Sequence, residues 1–323
     1  MSAPLERGLV LRTDAKVCHV EVGERVVQAA PRGILYGEDG VKRAQKNPVA
    51  VGDVVEVDLS SNPASLESVH PRRNWLSRTA SSHDPREQVL AANVDQLLVV
   101  TSLGKPGFSS NRTDRILAAC EWGRIPARIL LNKIDLAEED EIESLVETYT
   151  LAHVPILPTC ALDGRGIEEV RELIRGKTTV FYGASGAGKS SLLNSLQPGL
   201  KLKVGKISKF WDAGRHTTSF SQMITLEPGT RVIDTPGIRT FRLYGITAQD
   251  LRGLFPEFQA FQSKCGYMSC THDHEPVCAV FDAVESGEIA ASRYASYVEM
   301  LDEMRGPNAN DDVEEIEGEP EAE

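Results

Sequence analysis

No apolar run in this 323-residue sequence approaches the roughly 20 residues that a membrane-spanning helix needs. Leu97-Leu-Val-Val100 is the longest notable one beside an expected strand. The start, Met1-Ser-Ala-Pro-Leu-Glu-Arg7, lacks the apolar core of a signal peptide. A cytoplasmic, non-membrane protein is the expectation, and a monomer. A surplus of basic charge is also missing. Lys and Arg number 35 against 47 Asp and Glu, a net charge of −12 that as a sum is unsuited to gripping nucleic acid. Its distribution matters more than its total. The stretch from Asp311 to Glu323 holds eight carboxylates and no Lys or Arg, so 307–323 reads as a disordered, solvating acidic tail. The paired cysteines of a disulfide framework are lacking too. Cys18, Cys120 and Cys160 are scattered through apolar contexts, while the other three fall between Cys265 and Cys278. In a reducing compartment that clustering points to a metal.

What remains is ordinary for a globular protein, with 41% apolar and 25% charged residues and enough length for two or three domains. Residues 1–78 show short alternating runs at Gly8–Arg12, Lys16–Val22, Glu24–Ala30, Gly33–Tyr36 and Val54–Leu59, punctuated by turn residues. About five short strands without a convincing helix imply a small OB-type or SH3-like β-barrel. Arg32, Lys42, Arg43 and Lys46 surround its middle loop, either as RNA contacts or as a solvated loop. Asn74 to Gln88 is polar, lies near Pro71 and Pro85, and reads as a linker or ordered connection. Over 79–254 strands and helices alternate, the pattern of a largely parallel sheet covered by helices on both faces. Residues 255–306 read as a helical module around the cysteine cluster.

Gly183-Ala184-Ser185-Gly186-Ala187-Gly188-Lys189-Ser190-Ser191 follows the β-branched and aromatic run Thr178–Tyr182 and opens an expected helix. Strand, glycine-rich loop and Lys-Ser at a helix start are what a phosphate cradle requires. Lys189 would reach the β and γ phosphates and the Ser190 hydroxyl would hold Mg²⁺. Asn132-Lys133-Ile134-Asp135 directly follows another strand. A carboxylate there accepts two hydrogen bonds from guanine, a donor pair that adenine lacks. Asn132 would tie this loop to the phosphate loop, and the Lys133 stem would lie along the base. Thr159-Cys160-Ala161 follows a third strand and offers a backbone N–H to the guanine oxygen. Asp234-Thr-Pro-Gly237 follows a fourth; Asp234 would contact Mg²⁺ and the Gly237 N–H would sense the γ-phosphate.

The base-reading motif precedes the phosphate loop, so the domain is circularly permuted, which is permissible where domain termini lie close together. Between phosphate loop and switch, Lys201 to Ser219 carries five basic residues and Gly214-Arg-His-Thr-Thr218. Thr217 or Thr218 would complete the Mg²⁺ shell. Ile238 stands where many GTPases place a water-orienting glutamine and cannot do that work. A slow basal rate follows, with His216 on a moving loop as the substitute catalytic group. Cys265-x4-Cys270-x-His272-x5-Cys278 offers three thiolates and an imidazole, a closed tetrahedral set for structural Zn²⁺, with His274 as an alternative ligand.

The permuted order Asn132–Asp135, Gly183–Ser191, Gly214–Thr218, Asp234–Gly237, followed by this Cys/Cys/His/Cys knot, resembles the RsgA (YjeQ) family. The resemblance covers all but the acidic tail. It implies an amino-terminal OB fold, a permuted P-loop G domain and a zinc-binding carboxyl domain. It also implies GTP hydrolysis stimulated by the small ribosomal subunit, a role in its late maturation with rRNA as partner, and His216 as the hydrolytic residue. A GTP-dependent RNA-binding module acting by occupancy is the other reading. Gly186 departs from the asparagine that potassium-activated GTPases carry.

Overall fold

The computed structural model describes residues 4–36, 45–81, 83–200, 221–235 and 241–306. Strands β1 (Glu6–Thr13), β2 (Cys18–Val22), β3 (Arg25–Pro31), β4 (Val54–Asp58) and β5 (Ala64–Val69) pair in the order β1-β2-β3-β5-β4. They close when β4 returns to β1, with β3 and β5 parallel, which is the five-stranded barrel expected. Alternate residues Val10, Val20, Val55, Val57 and Leu66 fill it, the period-2 rule of a half-buried strand. Two assignments change. Gly33–Tyr36 is a 3₁₀ turn, held by the Leu35 N–H on the Arg32 carbonyl, because an apolar run of four does not by itself distinguish strand from turn. The fifth strand is instead Ala64–Val69, whose polar ASLESV sequence hides it, since only Ala64 and Leu66 are buried.

The polar stretch read as a linker is a hairpin of β6 (Trp75–Ser81) and β7 (Asp84–Ala92). Irregularities at Leu76/Ser77 and Thr79/Ser81 break the alternation that would have announced it. Leu76, Ala80 and Leu90 to Ala92 are buried, and the Asn74 side chain donates to the Val94 carbonyl and accepts from the Val94 N–H.

The central sheet runs β10 (Ile156–Thr159), β9 (Ala127–Asn132), β8 (Gln96–Ser102), β11 (Thr178–Tyr182), β13 (Thr230–Asp234), β12 (Gln222–Glu227). All pairings are parallel except that of β12, which runs antiparallel to β13 and to β1 and so joins barrel to sheet. On β8, Leu97 and Val99 pack with α1 (Ser110–Trp122), while Leu98 and Val100 pack with α3 (Ile167–Ile174) and α4 (Lys189–Leu196) on the other face. A strand covered on both sides reads as a continuous apolar run, as QLLVV does. The remaining helix of this sheet, α2 (Glu139–Leu151), follows β9.

Among the described residues, four α-helices follow the sheet: α5 (Ala248–Leu251), α6 (Gln259–Gln262), α7 (Ala279–Glu285) and α8 (Ala291–Arg305). Tyr294, Tyr297, Val298 and Leu301 of α8 face one core, as their spacing predicts, against stacked Phe255 and Phe258. Arg293 was not anticipated there. It is 1% exposed, and its guanidinium bonds Glu257 at 2.7 and 3.1 Å and Asp114 of α1 at 2.7 Å. Tyr149 donates to the same Asp114 oxygen at 2.9 Å. This ion network locks the helical module to the central domain. Arg293→Met should cost about 3–5 kcal/mol in urea unfolding, because it strands two buried carboxylates. Adding Asp114→Asn and Glu257→Gln should restore much of that loss.

Candidate nucleotide site and metal centre

Loops from the carboxyl ends of β8, β9, β10, β11 and β13 gather at one edge of the sheet, where open α/β sheets bind ligands. The phosphate loop joins β11 to α4, which begins at Lys189. Gly186 and Gly188 have φ of +88° and +100°. A Cβ on Gly188 would overlap the Asn132 amide, and one on Gly183 would overlap the Val100 carbonyl. Glycine is therefore required for both conformation and space. The buried Lys189 ammonium donates to the carbonyls of Gly183 at 2.6 Å and Ala184 at 3.2 Å. Ser190 is buried beside it, and Ser185, Ala187 and Ser191 complete the loop and the first helical turn.

Asn132 holds the site together. Its Nδ2 donates to the Ala187 carbonyl at 2.9 Å, and its Oδ1 accepts from the Ala161 N–H at 3.3 Å. One side chain thus spans the loops after β9, β10 and β11. Lys133 adopts φ of +63° and its ammonium donates to the Lys105 carbonyl at 2.7 Å. Asp135 is exposed and its Oδ1 accepts from the Cys160 thiol at 3.0 Å. Burial, and then that carboxylate, raise the Cys160 thiol above its ordinary value. The Lys105-Pro106 loop after β8 carried no motif, yet it supports Lys133 and would touch a Cβ on Gly186. Its only signal was its place at the end of a strand.

Asp234 ends β13, in register with Phe181 of β11. Its Oδ1 is buried and has no hydrogen-bond partner among the described residues. Burial pushes its carboxyl up to about 6, with the Lys189 charge opposing the shift, and burial in turn lowers Lys189. An orphaned carboxylate oxygen beside a phosphate cradle is the group a hard divalent cation satisfies. With Asp234 as a Mg²⁺ ligand, its protonation removes that ligand, so Mg²⁺-promoted nucleotide binding should fall as pH drops through about 6. Without nucleotide the sign is opposite for stability. The raised carboxyl makes ionised Asp234 destabilising at pH 7, and that cost disappears as pH falls from about 6 to about 4. Isothermal titration across pH 5–8 checks the first, and urea unfolding of the nucleotide-free protein across pH 4–7 the second, with Asp234→Asn as the flat reference in each. Gly237, Ile238, His216, Thr217 and Thr218 lie outside the described residues.

The second site is the cluster Cys265, Cys270, His272 and Cys278, whose donor atoms all lie within 4.8 Å of one another. His272 Nδ1 stands 3.6 Å from the sulfurs of Cys265 and Cys278. Nitrogen and sulfur ligands on a tetrahedral Zn²⁺ are separated by about 3.6 Å, so the donor set fits that ion. Burial pushes the Cys270 thiol up to about 12, so a thiolate there requires a cation. His274 is largely exposed beside Asp273 and does not join the cluster. Glu275, which the spacing did not single out, shapes the loop by accepting from the Thr271 and Asp273 N–H groups at 2.6 and 3.2 Å.

A parallel sheet whose Asn132–Asp135 loop is tied to a glycine-rich strand-to-helix loop occurring later in the chain is the arrangement of a circularly permuted GTPase. The sequence model of the RsgA GTPase family matches residues 69–244, and this chain belongs to that family. The small ribosomal subunit biogenesis GTPase RsgA of Bacteroides fragilis is 40% identical over 302 residues, covering 92% of this chain and 96% of the relative. The same-named protein of Chlorobaculum tepidum is 43% identical over 308 residues, covering 92% and 97%. Among solved structures, YjeQ from Thermotoga maritima aligns with a TM-score of 0.72 at 33% identity over 94% of this chain and 99% of that one. YloQ, described as a circularly permuted GTPase, aligns with a TM-score of 0.66 at 29% identity over 94% and 96%. Among the described residues no helix is long and apolar enough to cross a membrane.

Proposed function

We propose that this chain binds the small ribosomal subunit and hydrolyses GTP on it as a late-stage assembly factor. The observation that supports the reading is the Asn132 side chain, which ties its own loop to Ala187 of the glycine-rich loop and to Ala161. The names of the relatives supply the subunit. Asp135 reads guanine, with Lys133 along the base and the Ala161 side of the Thr159–Ala161 loop at its oxygen. Gly183 to Ser191 cradle the phosphates, and Lys189 exchanges its loop carbonyls for phosphate oxygens. Mg²⁺ is held by Ser190, by Thr217 or Thr218, and by Asp234, while Gly237 senses the γ-phosphate. His216 orients the attacking water in place of the glutamine that Ile238 replaces. One structural Zn²⁺ sits on Cys265, Cys270, His272 and Cys278. The chain divides into a barrel (1–78), a permuted GTPase domain (79–254), a zinc module (255–306) and an acidic tail (307–323). It works as a cytoplasmic monomer and grips rRNA through the barrel and the basic loop after α4.

Phosphate release measured without ribosomes, with small subunits, with large subunits and with naked RNA tests this. Small subunits alone should raise turnover by about tenfold or more, equal to about 1.4 kcal/mol or more off the barrier. His216→Ala should remove that stimulation and leave nucleotide binding intact. Equal rates in all four arms would overturn the assignment to the small subunit.

A further inference from the structure

The Asp135 side chain is exposed, and among the described residues its carboxylate has one hydrogen-bond partner, the Cys160 thiol at 3.0 Å. The 3₁₀ turn Ile134–Leu136 fixes the backbone there but not the last torsion of the side chain. Such a carboxylate turns about its terminal bond over a broad range. Two parallel bonds to the edge of a base require one orientation of the group, so something has to select it.

Cys160 is held firmly enough to do so. It is 1% exposed and packs with Leu131, Ile134 and Ile142. Its N–H donates to the Arg165 carbonyl and its own carbonyl accepts from the Gly164 N–H, both at 2.9 Å. The Asp163 and Leu162 N–H groups face its sulfur, which leaves the thiol proton as the group to be placed. The Asp163 carboxylate also faces the thiol. That carboxylate already accepts from the Arg165 guanidinium at 2.8 and 2.9 Å and from the Arg165 N–H at 3.0 Å. Asp135 Oδ1 is left as the recipient.

We propose that the Cys160 side chain is a positioning residue for guanine selection, acting through Asp135 and not on the nucleotide. This rests on the reading of Asp135 as the base-reading group. The thiol occupies one acceptor site of a carboxylate that offers about four, so both oxygens remain available to the two N–H groups of guanine. A thiol is a weak donor. A hydroxyl in its place should therefore orient Asp135 at least as well, whereas a methyl group cannot. A part in packing alone gives a different order, because a hydroxyl costs more than a methyl group in an apolar pocket.

Titration of the full-length chain with fluorescent GTP, ATP and inosine triphosphate, which lacks the exocyclic amine, tests this. Cys160→Ala should bind GTP about threefold to tenfold more weakly, the scale of one hydrogen bond. Its preference for GTP over inosine triphosphate should shrink, and its affinity for ATP should stay that of the parent, since the phosphate cradle is untouched. Cys160→Ser should match or exceed the parent on GTP. In an Asp135→Ala chain, adding Cys160→Ala should cause no further loss. Serine as weak as alanine, an equal fall for ATP, independent losses in the double variant, or an alanine variant that keeps the parent's GTP affinity and preference would each overturn the proposal. Those results leave the base-reading role of Asp135 standing. Asp135→Ala without loss of GTP affinity would remove that role, and the positioning of Asp135 by Cys160 with it.

Discussion

Asp135→Asn is expected to lower affinity for GTP by about 10²–10⁴-fold and to turn the preference toward xanthosine triphosphate. Guanine presents two N–H donors, and each bond to a charged acceptor contributes about 1.5–3 kcal/mol. The amide removes the charge and sets an N–H₂ against a donor. Xanthine carries a carbonyl where guanine carries its amine, so it accepts from that N–H₂ and recovers part of the binding. Asp135 lies on the loop that the Asn132 side chain ties to the Ala187 carbonyl of the glycine-rich loop. Titration of fluorescent GTP, ATP and xanthosine triphosphate reads the result. Unchanged GTP affinity, or wild-type binding of ATP as tight as GTP, would remove the base-reading role from Asp135.

The second large effect lies at the Cys265, Cys270, His272 and Cys278 cluster, with Zn²⁺ as its proposed ion. Chelation, or Cys270→Ala, should melt the module around the cluster, because structural Zn²⁺ contributes about 10–16 kcal/mol to sites that do not exist in the unfolded chain. The ligands are woven into the module's core. Tyr294 donates to the His272 carbonyl at 2.8 Å, and the His272 ring meets Phe258 edge-on at 5.9 Å. Near-ultraviolet circular dichroism should lose the aromatic signal, and atomic emission should find about one zinc per folded chain. The damage should spread further than the module, since α8 also carries the Arg293 that bonds Asp114 of α1. Folding that survives complete metal removal would show that the apolar core suffices.

Much of this site was legible in one dimension because its chemistry depends on local spacing. Glycines that let backbone amides turn inward, a lysine at the helix start and a carboxylate after a strand each act through neighbours in sequence. Buried parallel strands were equally plain, since QLLVV and TTVFY leave no polar face to show. Legibility failed where a segment's partner is remote. The hairpin β6–β7 reads as a polar connection because bulges interrupt its period, and Ala64–Val69 presents only two buried side chains to the barrel. Arg293 carries no local sign of burial, because its acids lie 36 and 179 positions away.

The sequence by itself determined the nucleotide chemistry, the metal donor set and the permuted order of motifs, because all three are written in residue types at short separations. Only the tertiary structure decided that Asn132 clamps three loops, that His272 rather than His274 faces the thiols, and that a buried arginine binds the carboxyl-terminal helical module to the GTPase sheet. Those contacts join residues far apart in the chain, and their energies exist only once burial has removed the water that would otherwise satisfy each group alone.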